Sequence, residues 1–398
     1  MNIGIFTDTY YPEVNGVANS AYQLKGELES EGNTVYVFTV SNPEMKEMEY
    51  NVFRLRSVPF ALLKERRVTY SLTKIWINKV KELHLDVIHT QTEFGVGHLG
   101  RKLAEQLGIP HVHTYHTIYE DYTHYLRIPG NQKLKGIART FSRSCCEKAD
   151  LIIAPTEKVK RLLSSYGVKK EIIIQPTGVN ISKFDRYDED EVLRLRIKYH
   201  LSGSDHILLS VGRVSREKNQ IELIEKMVRL KKTDPMAKLL IVGNGPELEF
   251  LRHRACEEGI ADRVVFTGEV AWNGVENYYA LGDAFVCASS SETQGLTYIE
   301  SLAAGKPILA RKDECLEGIL QEGINGYGYS TDCDFLESYQ KLFSDMKCRE
   351  MKEICKESIQ RISLQNFAQT LERTYHKVCW AHAVEEGEVY EKAHQLAG

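Results

Sequence analysis

Short apolar runs alternate with amphipathic stretches along most of this chain, and that pattern predicts its fold. In the first half, six apolar runs are typical of buried strands: NIGIFTD (2–8), TVYVFTV (34–40), DVIHTQT (86–92), PHVHTYH (110–116), LIIAPT (151–156) and EIIIQP (171–176). Helical periodicity fills the intervals, at 18–31, 68–84, 95–107, 133–148 and 157–166. Regular alternation of buried strands with helices predicts a parallel sheet that is covered on both faces.

Residues 177–202 interrupt this alternation with a polar, charged stretch, which predicts a domain boundary. Strand-like runs resume at 206–213, 237–243, 263–269, 284–289 and 306–311, and helical patterns follow at 334–359 and 364–382. We therefore expect an α/β protein with two tandem Rossmann-like, doubly wound parallel-sheet domains facing a cleft. The expected domains are 1–176, 177–374 and a helical tail, 375–398, that packs back on the first domain. Ligands of such sheets bind in the loops that follow the strands.

Composition narrows the class of protein. The chain has 398 residues, of which 42% are apolar and 27% charged, as in ordinary globular proteins. It contains no apolar run of about 18 residues, and its first residues show no signal-peptide pattern. The nine cysteines lack pairing or metal-site spacing, which indicates reduced thiols in the cytoplasm.

Two loops have features of anion-binding sites. Asn15 and Gly16 lie just ahead of a predicted helix, whose N-terminus favours an anion. In SVGRVSREKNQ (210–220), Arg213 and Lys218 stand near the start of another helix, where cations oppose the helix dipole. An anionic ligand between these two side chains would resolve that conflict. The alternative for each loop is an ordinary turn with solvated side chains.

Two glutamates flank the start of a short apolar helix in SSETQGLTYIESLAAGK (290–306). Glu292 lies in the preceding loop, and Glu300 lies beside the apolar face of the helix. The backbone N–H groups of Gly295 and Leu296 are donors at the helix start and can bind a phosphate. A carboxylate on each side can bind hydroxyls, one ribose-like and one sugar-like. The alternative is two unrelated surface glutamates.

A histidine-rich segment, VHTYHTIY (112–119), spans the end of a predicted strand. Alternation along the strand puts His111, His113 and Tyr115 on one face and His116 on the other. No third convergent ligand is evident, so the sequence predicts no metal site. For His116, the alternative to a functional role is a polar group at a solvated strand end.

In their order along nearly the whole chain, these motifs resemble those of the GT-B-fold, retaining glycosyltransferases of family 4. The resemblance is carried by the Asn15–Gly16 loop, TYHT (114–117), QPTGVNISKF (175–184), SVGR with Lys218, VGNGP (242–246) and the glutamate pair. The residues it implies for donor binding are Gly16, Arg213, Lys218, Gln294, Gly295, Leu296 and Glu300, and those it implies for catalysis are His116 and Glu292. By this resemblance, the two cations neutralise a leaving diphosphate, and Glu300 accepts hydrogen bonds from a ribose. The two catalytic residues contact the transferred sugar.

Longer stretches resemble bacterial diacylglycerol α-glucosyltransferases, among them GIFTDTYYPEVNGVA (4–18) and HTQTEFGVGHLG (89–100). That resemblance implies UDP-glucose as the donor, diacylglycerol as the acceptor and peripheral attachment to the inner face of the cell membrane. It implies no resident cofactor, and a divalent cation is at most stimulatory. One departure is the Asn-Gly of the first loop, where many family members have Gly-Gly.

Two stretches in the first half carry the excess of Lys and Arg that is expected of a region that binds an anionic membrane surface. The net charge of −4 divides into +4 over residues 1–175 and −8 over the remainder. Residues 54–81 hold eight Lys and Arg against one acidic residue, and residues 127–148 hold six against one. The predicted membrane contacts are Arg66, Arg67, Lys74 and Trp76. A solvated basic face is the alternative, and no motif supports a nucleic-acid partner.

Three other functions stay open on the sequence alone. A family-4 transferase can use a soluble acceptor, such as a small hydroxy acid, a sugar or a glycan, or another nucleotide sugar. A nucleotide-sugar epimerase can share the two-domain architecture, although the ordered glutamates and cations argue against it. A sensor would bind a nucleotide sugar without transferring it.

Overall fold

The computed structural model describes residues 1–43, 45, 48–60, 63–69, 73–126 and 131–385, and for 60, 63–66, 124–126, 131 and 385 it describes the backbone alone. The chain divides into two compact units. The first unit contains Met1–Gly178 and the segment from Leu364 onward, and the second contains Val179–Ser363. Each unit is built around its own parallel sheet.

The strands of the first unit are β1 (Asn2–Phe6), β2 (Thr34–Val40), β3 (Val52–Leu55), β4 (Ser57–Phe60), β5 (Leu63–Thr69), β6 (Val87–Thr90), β7 (His111–Thr114), β8 (Leu151–Ala154) and β9 (Ile172–Ile174). Within the described residues, seven of them form a parallel sheet in the order β3-β2-β1-β6-β7-β8-β9, while β4 and β5 pair as an antiparallel hairpin. Its first five helices are α1 (Gly16–Ser30), α2 (Thr73–Glu82), α3 (Gly95–Leu107), α4 (Asn131–Cys146) and α5 (Glu157–Ser165), and a 3-10 helix spans Tyr119–Leu126.

The order of the first sheet reverses between β1 and β6, and the helices that follow these strands cover opposite faces. Helix α1 packs on the face that carries Ile3, Ile5 and Val87. Helix α3 packs on the face that carries Phe6 and Ile88. The loops after β1 and β6 therefore diverge at the carboxyl ends of the strands, which is the topological switch point where such sheets bind ligands.

The strands of the second unit are β10 (His206–Val211), β11 (Ala237–Val242), β12 (Val264–Gly268), β13 (Ala284–Cys287), β14 (Ile308–Arg311) and β15 (Gly326–Tyr329), in the parallel order β12-β11-β10-β13-β14-β15. Its helices are α6 (Ile181–Phe184), α7 (Glu189–Lys198), α8 (Gln220–Thr233), α9 (Leu248–Glu257), α10 (Val275–Leu281), α11 (Leu296–Ala303), α12 (Asp332–Cys348) and α13 (Met351–Ser358). The switch point lies between β10 and β13, since α8 and α11 belong to the cores on opposite faces.

Helix α14 (Leu364–Glu385) returns the chain to the first unit. Its buried side chains include Phe367, Leu371 and Tyr375, which share a core with Leu24 and Leu28 of α1. The expected boundary at 374/375 differs from the observed division at 363/364. The physical reason is that the apolar face of this helix packs into a single core along its length.

Polar residues at the helix starts explain several element boundaries. The side chain of Asn15 accepts a hydrogen bond from the backbone N–H of Ala18 at 3.0 Å, which begins α1. Thr156 caps α5 in the same way, and Thr331 with Asp334 forms a capping box at α12.

The structure contains strands that the sequence pattern did not predict, namely β3, the β4–β5 hairpin and β15. The helix expected at 68–84 begins only at Thr73, because the charged run 63–69 pairs as β5. Strand β15 reads GYGY and resembles a turn. A Cβ at Gly326 would lie 2.2 Å from the carbonyl oxygen of Ile308, so glycine is what allows β15 to pack against β14.

Candidate functional site

The loops after β10 and β13 are hydrogen-bonded to each other at the switch point of the second sheet. Ser289 and Ser291 each donate a hydroxyl hydrogen bond to the carbonyl oxygen of Glu217, at 3.3 Å. The amide of Asn219 donates to the carbonyl oxygen of Ala288, also at 3.3 Å. Residues that lie some seventy positions apart in the chain are therefore held in one site.

The backbone of Arg213 is fixed from two directions. The amide of Gln220 donates to the carbonyl oxygen of Arg213 at 2.9 Å. The glycine turn after β11 packs on the same loop, because a Cβ at Gly243 would lie 1.9 Å from the carbonyl oxygen of Gly212. A Cβ at Gly245 would lie 2.1 Å from another carbonyl oxygen of that loop. The VGNGP motif thus supports Arg213 through close backbone packing.

Lys218 and Glu292 form an ion pair between the two loops. The Lys218 Nζ lies 2.6 Å from Glu292 Oε1, with 29% of the lysine side chain and 11% of the glutamate side chain exposed. The sequence analysis expected an anion between Arg213 and Lys218. In this structure, the carboxylate of Glu292 supplies a negative charge at Lys218.

Gly295 and Leu296 begin α11 as a donor site for an anion. Gly295 has a φ of 72°, and a Cβ there would lie 2.4 Å from the ring of Tyr298, so only glycine suits this position. Gly295 is the N-cap residue of α11 and has no side chain that could cap the helix. Its first-turn N–H groups thus have the arrangement in which helices bind anions. Gln294, just before the helix, is buried.

Glu300 is a buried carboxyl group within α11. Its side chain is 6% exposed, and the hydroxyl of Tyr279 donates to Oε2 at 2.7 Å. Burial raises the pKa of Glu300 to about 7, against the opposing effects of the Tyr279 hydrogen bond and of Lys183. The carboxyl is therefore only partly ionised near neutral pH, and additional hydroxyl donors would stabilise its charged form.

The residues of the second-unit site fall into two groups, one suited to an anion and one suited to hydroxyl groups. Arg213, Lys218 and the start of α11 are suited to an anion, and Arg213 has the planar donor geometry that matches phosphate. Glu292 and Glu300 are suited to hydroxyl groups, since carboxylates accept hydrogen bonds without donating when ionised. The structure brings together the predicted residues from both loops.

In the first unit, the loops after β1 and β6 are joined by Asp8. Its carboxylate accepts hydrogen bonds from the Thr92 hydroxyl at 2.6 Å and from the Val96 backbone N–H at 2.8 Å, so it caps α3. Burial raises the pKa of Asp8. Part of this residue is nevertheless accessible to solvent. Gly16 is the exposed first residue of α1, and Asn15 caps that helix.

Two of the four histidines near the ends of β6 and β7 share one face. The Thr90 hydroxyl lies 2.9 Å from His111 Nε2 and 2.8 Å from His113 Nδ1. His113 Nε2 lies 3.3 Å from the buried carboxylate of Glu93, which accepts a short hydrogen bond from Tyr119. This common face confirms the alternation predicted for His111 and His113. Within the described ranges, no group of three or more His, Cys, Asp or Glu is placed to hold a metal ion.

His116 lies on the other side of this strand end, where its Nε2 is 2.6 Å from the side-chain oxygen of Gln91. His116 is half-buried by surface area, and burial, together with a smaller effect of His113, lowers its pKa to about 3. His116 is therefore a neutral imidazole at physiological pH. An amide oxygen can only accept a hydrogen bond, so in this contact the Gln91 oxygen is the acceptor.

Several residues of these sites were missed by the sequence analysis. Gln91 and Glu93 follow β6 at the switch point, and their position in the strand-to-helix loop within HTQTEF (89–94) was a usable signal. Asp8 follows β1 in the same way. Tyr279 reaches Glu300 from α10, and no sequence pattern connects these two residues.

Trp76 is partly buried, and its contact with a membrane stays a prediction. Its ring packs edge-on against Phe38, at 5.8 Å between ring centroids, and against Phe53 at 6.2 Å. It packs from α2 against the core on this face of the first sheet. The large apolar side chain exposed on this helix is Ile75, at 66%.

The other predicted membrane contacts differ in their surroundings. Lys74 is exposed on α2. The guanidinium of Arg67 donates to the hydroxyl of Ser57 at 2.9 Å and to its carbonyl oxygen at 2.7 Å, so it secures the hairpin. The side chain of Arg66 lies outside the described residues. None of the helices that the structure describes is long and apolar enough to cross a membrane.

Comparison with known proteins gives matches over both units. Residues 14–183 match the family described as Glycosyltransferase Family 4, and residues 193–360 match Glycosyl transferases group 1. An alpha-monoglucosyldiacylglycerol synthase of Streptococcus pneumoniae is 37% identical over 379 residues, covering 94% of this chain and 85% of that protein. One from Acholeplasma laidlawii is 34% identical over 339 residues, covering 82% of this chain and 84% of that protein.

The fold is also found in solved structures. Anabaena Alr3699/HepE in complex with UDP has a TM-score of 0.73 at 16% identity, covering 95% of this chain and 100% of that chain. At this identity the likeness establishes the fold alone. Together with the two parallel sheets, it confirms the predicted α/β, GT-B class.

Replacing Glu300 with glutamine tests the burial of this carboxyl. The folded state raises its pKa from 4.5 to about 7, so the folded protein binds the proton more tightly, and stability is lost as pH rises through that window. We expect Glu300→Gln to raise the free energy of unfolding by about 1–3 kcal/mol at pH 8 and to change it little at pH 5.

Urea unfolding at both pH values measures this difference. Glu337→Gln on α12 is the control, because the Glu337 side chain is 70% exposed. An effect of Glu300→Gln that is the same at pH 5 and pH 8 would contradict the raised pKa.

Proposed function

This chain belongs to glycosyltransferase family 4, and from that premise we propose that it transfers glucose from UDP-glucose to diacylglycerol. The product is an α-glucosyl glycolipid, made at the cytoplasmic face of the cell membrane by a peripherally attached enzyme. The observation that carries the proposal is the joined site of Arg213, Lys218, Glu292 and Glu300, in a chain 37% identical to an alpha-monoglucosyldiacylglycerol synthase.

The donor is proposed to lie at the switch point of the second sheet. Its diphosphate binds Arg213, Lys218 and the first N–H groups of α11, where the helix dipole also favours an anion. The hydroxyl groups of its ribose donate hydrogen bonds to Glu300. These bonds replace the contacts with water that the ionised carboxylate loses on burial. Donor binding replaces the ion pair seen in this structure, so that Lys218 turns to phosphate and Glu292 to sugar hydroxyls.

The proposed reaction retains the α configuration at the sugar carbon. The bond from C1 of glucose to the β-phosphate oxygen breaks, and a bond from C1 to the acceptor oxygen forms on the same face. The proton of the acceptor hydroxyl passes to a phosphate oxygen of the departing UDP. Negative charge grows on that phosphate, and the fixed cations Arg213 and Lys218 stabilise it. Because these side chains supply the positive charge, the proposal includes no resident metal or cofactor, and a divalent cation is at most stimulatory.

His116 of the first unit is the second proposed contact for the transferred sugar. Its neutral ring suits a hydroxyl group better than a phosphate. Gly16, at the exposed start of α1, is the proposed backbone donor to the phosphates from the same unit.

Support for a lipid acceptor comes from the surface of the first unit. Helix α2 exposes Lys74 and Lys81 around Ile75, and α4 exposes Lys133 together with Ile137, which is 65% exposed. Large aliphatic side chains among lysines are typical of helices that lie on an anionic membrane. Diacylglycerol is found in such a surface, so attachment there would bring the enzyme to its acceptor.

The direct test is release of UDP from UDP-glucose by the purified protein, with and without diacylglycerol in anionic vesicles. We expect release that depends on diacylglycerol. We also expect Arg213→Ala to lower kcat/KM by roughly a hundredfold or more, because it removes charge stabilisation of the leaving group. Arg216→Ala, an exposed arginine of the same loop, is the matched control and should stay near wild type.

The outcomes of this assay separate the candidate functions. UDP release that needs a sugar or hydroxy acid instead of the lipid would favour a family-4 transferase with a soluble acceptor. Binding of UDP-glucose without release in any mixture would contradict transfer. Equal losses in Arg213→Ala and Arg216→Ala would remove the specific role of Arg213.

Membrane attachment has its own test, in co-sedimentation with phosphatidylglycerol vesicles. Replacing Lys74 and Lys81 with glutamine should reduce binding by roughly thirtyfold at low salt, since each surface lysine contributes about 1 kcal/mol. The matched control is Lys232→Gln with Lys347→Gln, which makes the same charge change at exposed sites of the second unit. Equal loss in both double variants would mean that net charge, and not this helix, determines binding.

A further inference from the structure

The carboxyl ends of three neighbouring strands in the second sheet are joined through Asn219 and Glu222. The side-chain amide of Asn219 donates to Glu222 Oε2 at 2.8 Å and to the carbonyl oxygen of Ala288 at 3.3 Å. Arg311 Nη1 donates to the same Oε2 at 2.9 Å. Asn219 lies between β10 and α8, Ala288 follows β13, and Arg311 ends β14. One amide and one carboxylate therefore connect the ends of β10, β13 and β14.

The backbone of Asn219 has a conformation that needs support. Its φ is 53°, in the left-handed region, which is unfavourable for a residue with a Cβ although asparagine tolerates it better than most. Asn219 links the 3-10 turn Arg216–Lys218 to α8. Its backbone angles set the direction of that turn relative to the helix. Contacts that hold the Asn219 side chain thereby also hold the backbone of Lys218, the preceding residue.

Glu222 is itself held by two cations from different elements. Its side chain is 12% exposed, and it accepts from Arg311 at Oε2. At the other oxygen, Lys226 Nζ lies 3.6 Å from Oε1, and that lysine is also paired with Asp332 at the start of α12. A carboxylate that meets a cation at each oxygen has little freedom to rotate. Glu222 is therefore a fixed acceptor for the Asn219 amide.

We propose that Glu222 is a positioning residue for the donor diphosphate, because it fixes the backbone of Lys218 through Asn219. Ala288 begins the loop that carries Glu292, so the same contacts also fix the separation of the Lys218 and Glu292 loops. The assignment of the diphosphate as the ligand of Lys218 rests on the proposed function. The ordering of the Lys218 backbone by Glu222 does not depend on any ligand.

The contribution of Glu222 comes from geometry and not from its charge. A carboxylate repels a diphosphate, and Arg311 and Lys226 offset that repulsion. The useful feature of Glu222 is thus an oxygen that accepts from Asn219. Glutamine also offers a side-chain oxygen as an acceptor, so it should replace glutamate in this role, whereas alanine should not.

Calorimetry with UDP tests this role in the full chain. We expect Glu222→Ala to weaken UDP binding about tenfold and Glu222→Gln to stay within about threefold of the wild type. Asn219→Gly permits the same φ and leaves the ion pairs of Glu222 intact, so it keeps the fold and should weaken binding as Glu222→Ala does. Glu225→Ala, an exposed site on the same helix, is the matched control. Equal weakening in Glu222→Gln and Glu222→Ala, or in the control, would overturn the proposal.

A double-mutant cycle distinguishes positioning from a general effect on the fold. Lys218→Ala removes the ammonium group that Glu222 is proposed to position, while Arg213 and the start of α11 remain to bind UDP. In that background, Glu222→Ala should change UDP affinity by less than about twofold. A loss as large as that in the wild-type background would mean that Glu222 does not act through Lys218.

Hydrogen exchange without ligand gives an independent readout. The backbone N–H groups of Lys218 and Asn219 donate to carbonyl oxygens within their own turn, at 3.0 Å and 3.2 Å. We expect faster exchange of the peptide containing them in Glu222→Ala and in Asn219→Gly, and wild-type exchange in Glu225→Ala. Unchanged exchange in the first two variants would contradict the ordering of this turn by Glu222. If the wild type binds neither UDP nor UDP-glucose, the proposed function fails, and exchange alone decides whether Glu222 orders the turn.

Discussion

Both candidate sites depend on one constraint, which is that two neighbouring parallel strands send their following helices to opposite faces of the sheet. In the second unit β10 leads to α8 and β13 leads to α11, and these helices belong to separate cores. The first unit repeats the arrangement with β1, α1, β6 and α3. The loops that follow the two strands diverge at such a point. Their backbone donors and polar side chains are therefore not used in pairing with a strand. Arg213, Glu292 and Gln91 all lie in loops of this kind.

The two switch points carry buried polar groups of different character. At the second, Glu300 is a carboxyl whose pKa burial raises to about 7, and its one described hydrogen bond comes from Tyr279. At the first, His89 is a neutral ring that hydrogen-bonds Tyr375 and Thr114 at its two nitrogens. An incompletely satisfied carboxyl destabilises the fold, whereas a satisfied neutral network makes it rigid. The proposed role of Glu300 follows from this difference, because its carboxylate gains hydrogen-bond partners from a ligand.

The sequence pattern predicts the features that arise from local periodicity and from residue type at a strand end. Helix α3 was expected at 95–107 and is found there, and both parallel sheets follow from the alternation of apolar runs. The sequence predicts Arg213 and Lys218 because two cations near a helix start oppose its dipole, and Glu300 because a carboxylate lies beside the apolar face of a short helix. The pattern could not show the Lys218–Glu292 pair or the Tyr279–Glu300 bond, since both depend on which strands become neighbours. It could not show that Trp76 packs against Phe38 and Phe53, because a basic, aromatic helix does not reveal which face meets the sheet.

The most direct test of this account is the pH dependence of UDP-glucose affinity, measured by calorimetry between pH 6 and pH 8. The diphosphate of UDP-glucose does not titrate in this range, so a change reports on the protein. With a Glu300 pKa of about 7, the fraction of ionised carboxyl rises across this interval. Affinity should therefore increase by nearly tenfold in the wild type and stay constant in Glu300→Gln. Constant affinity in the wild type, or the same rise in Glu300→Gln, would contradict the claim that this buried carboxyl binds the donor.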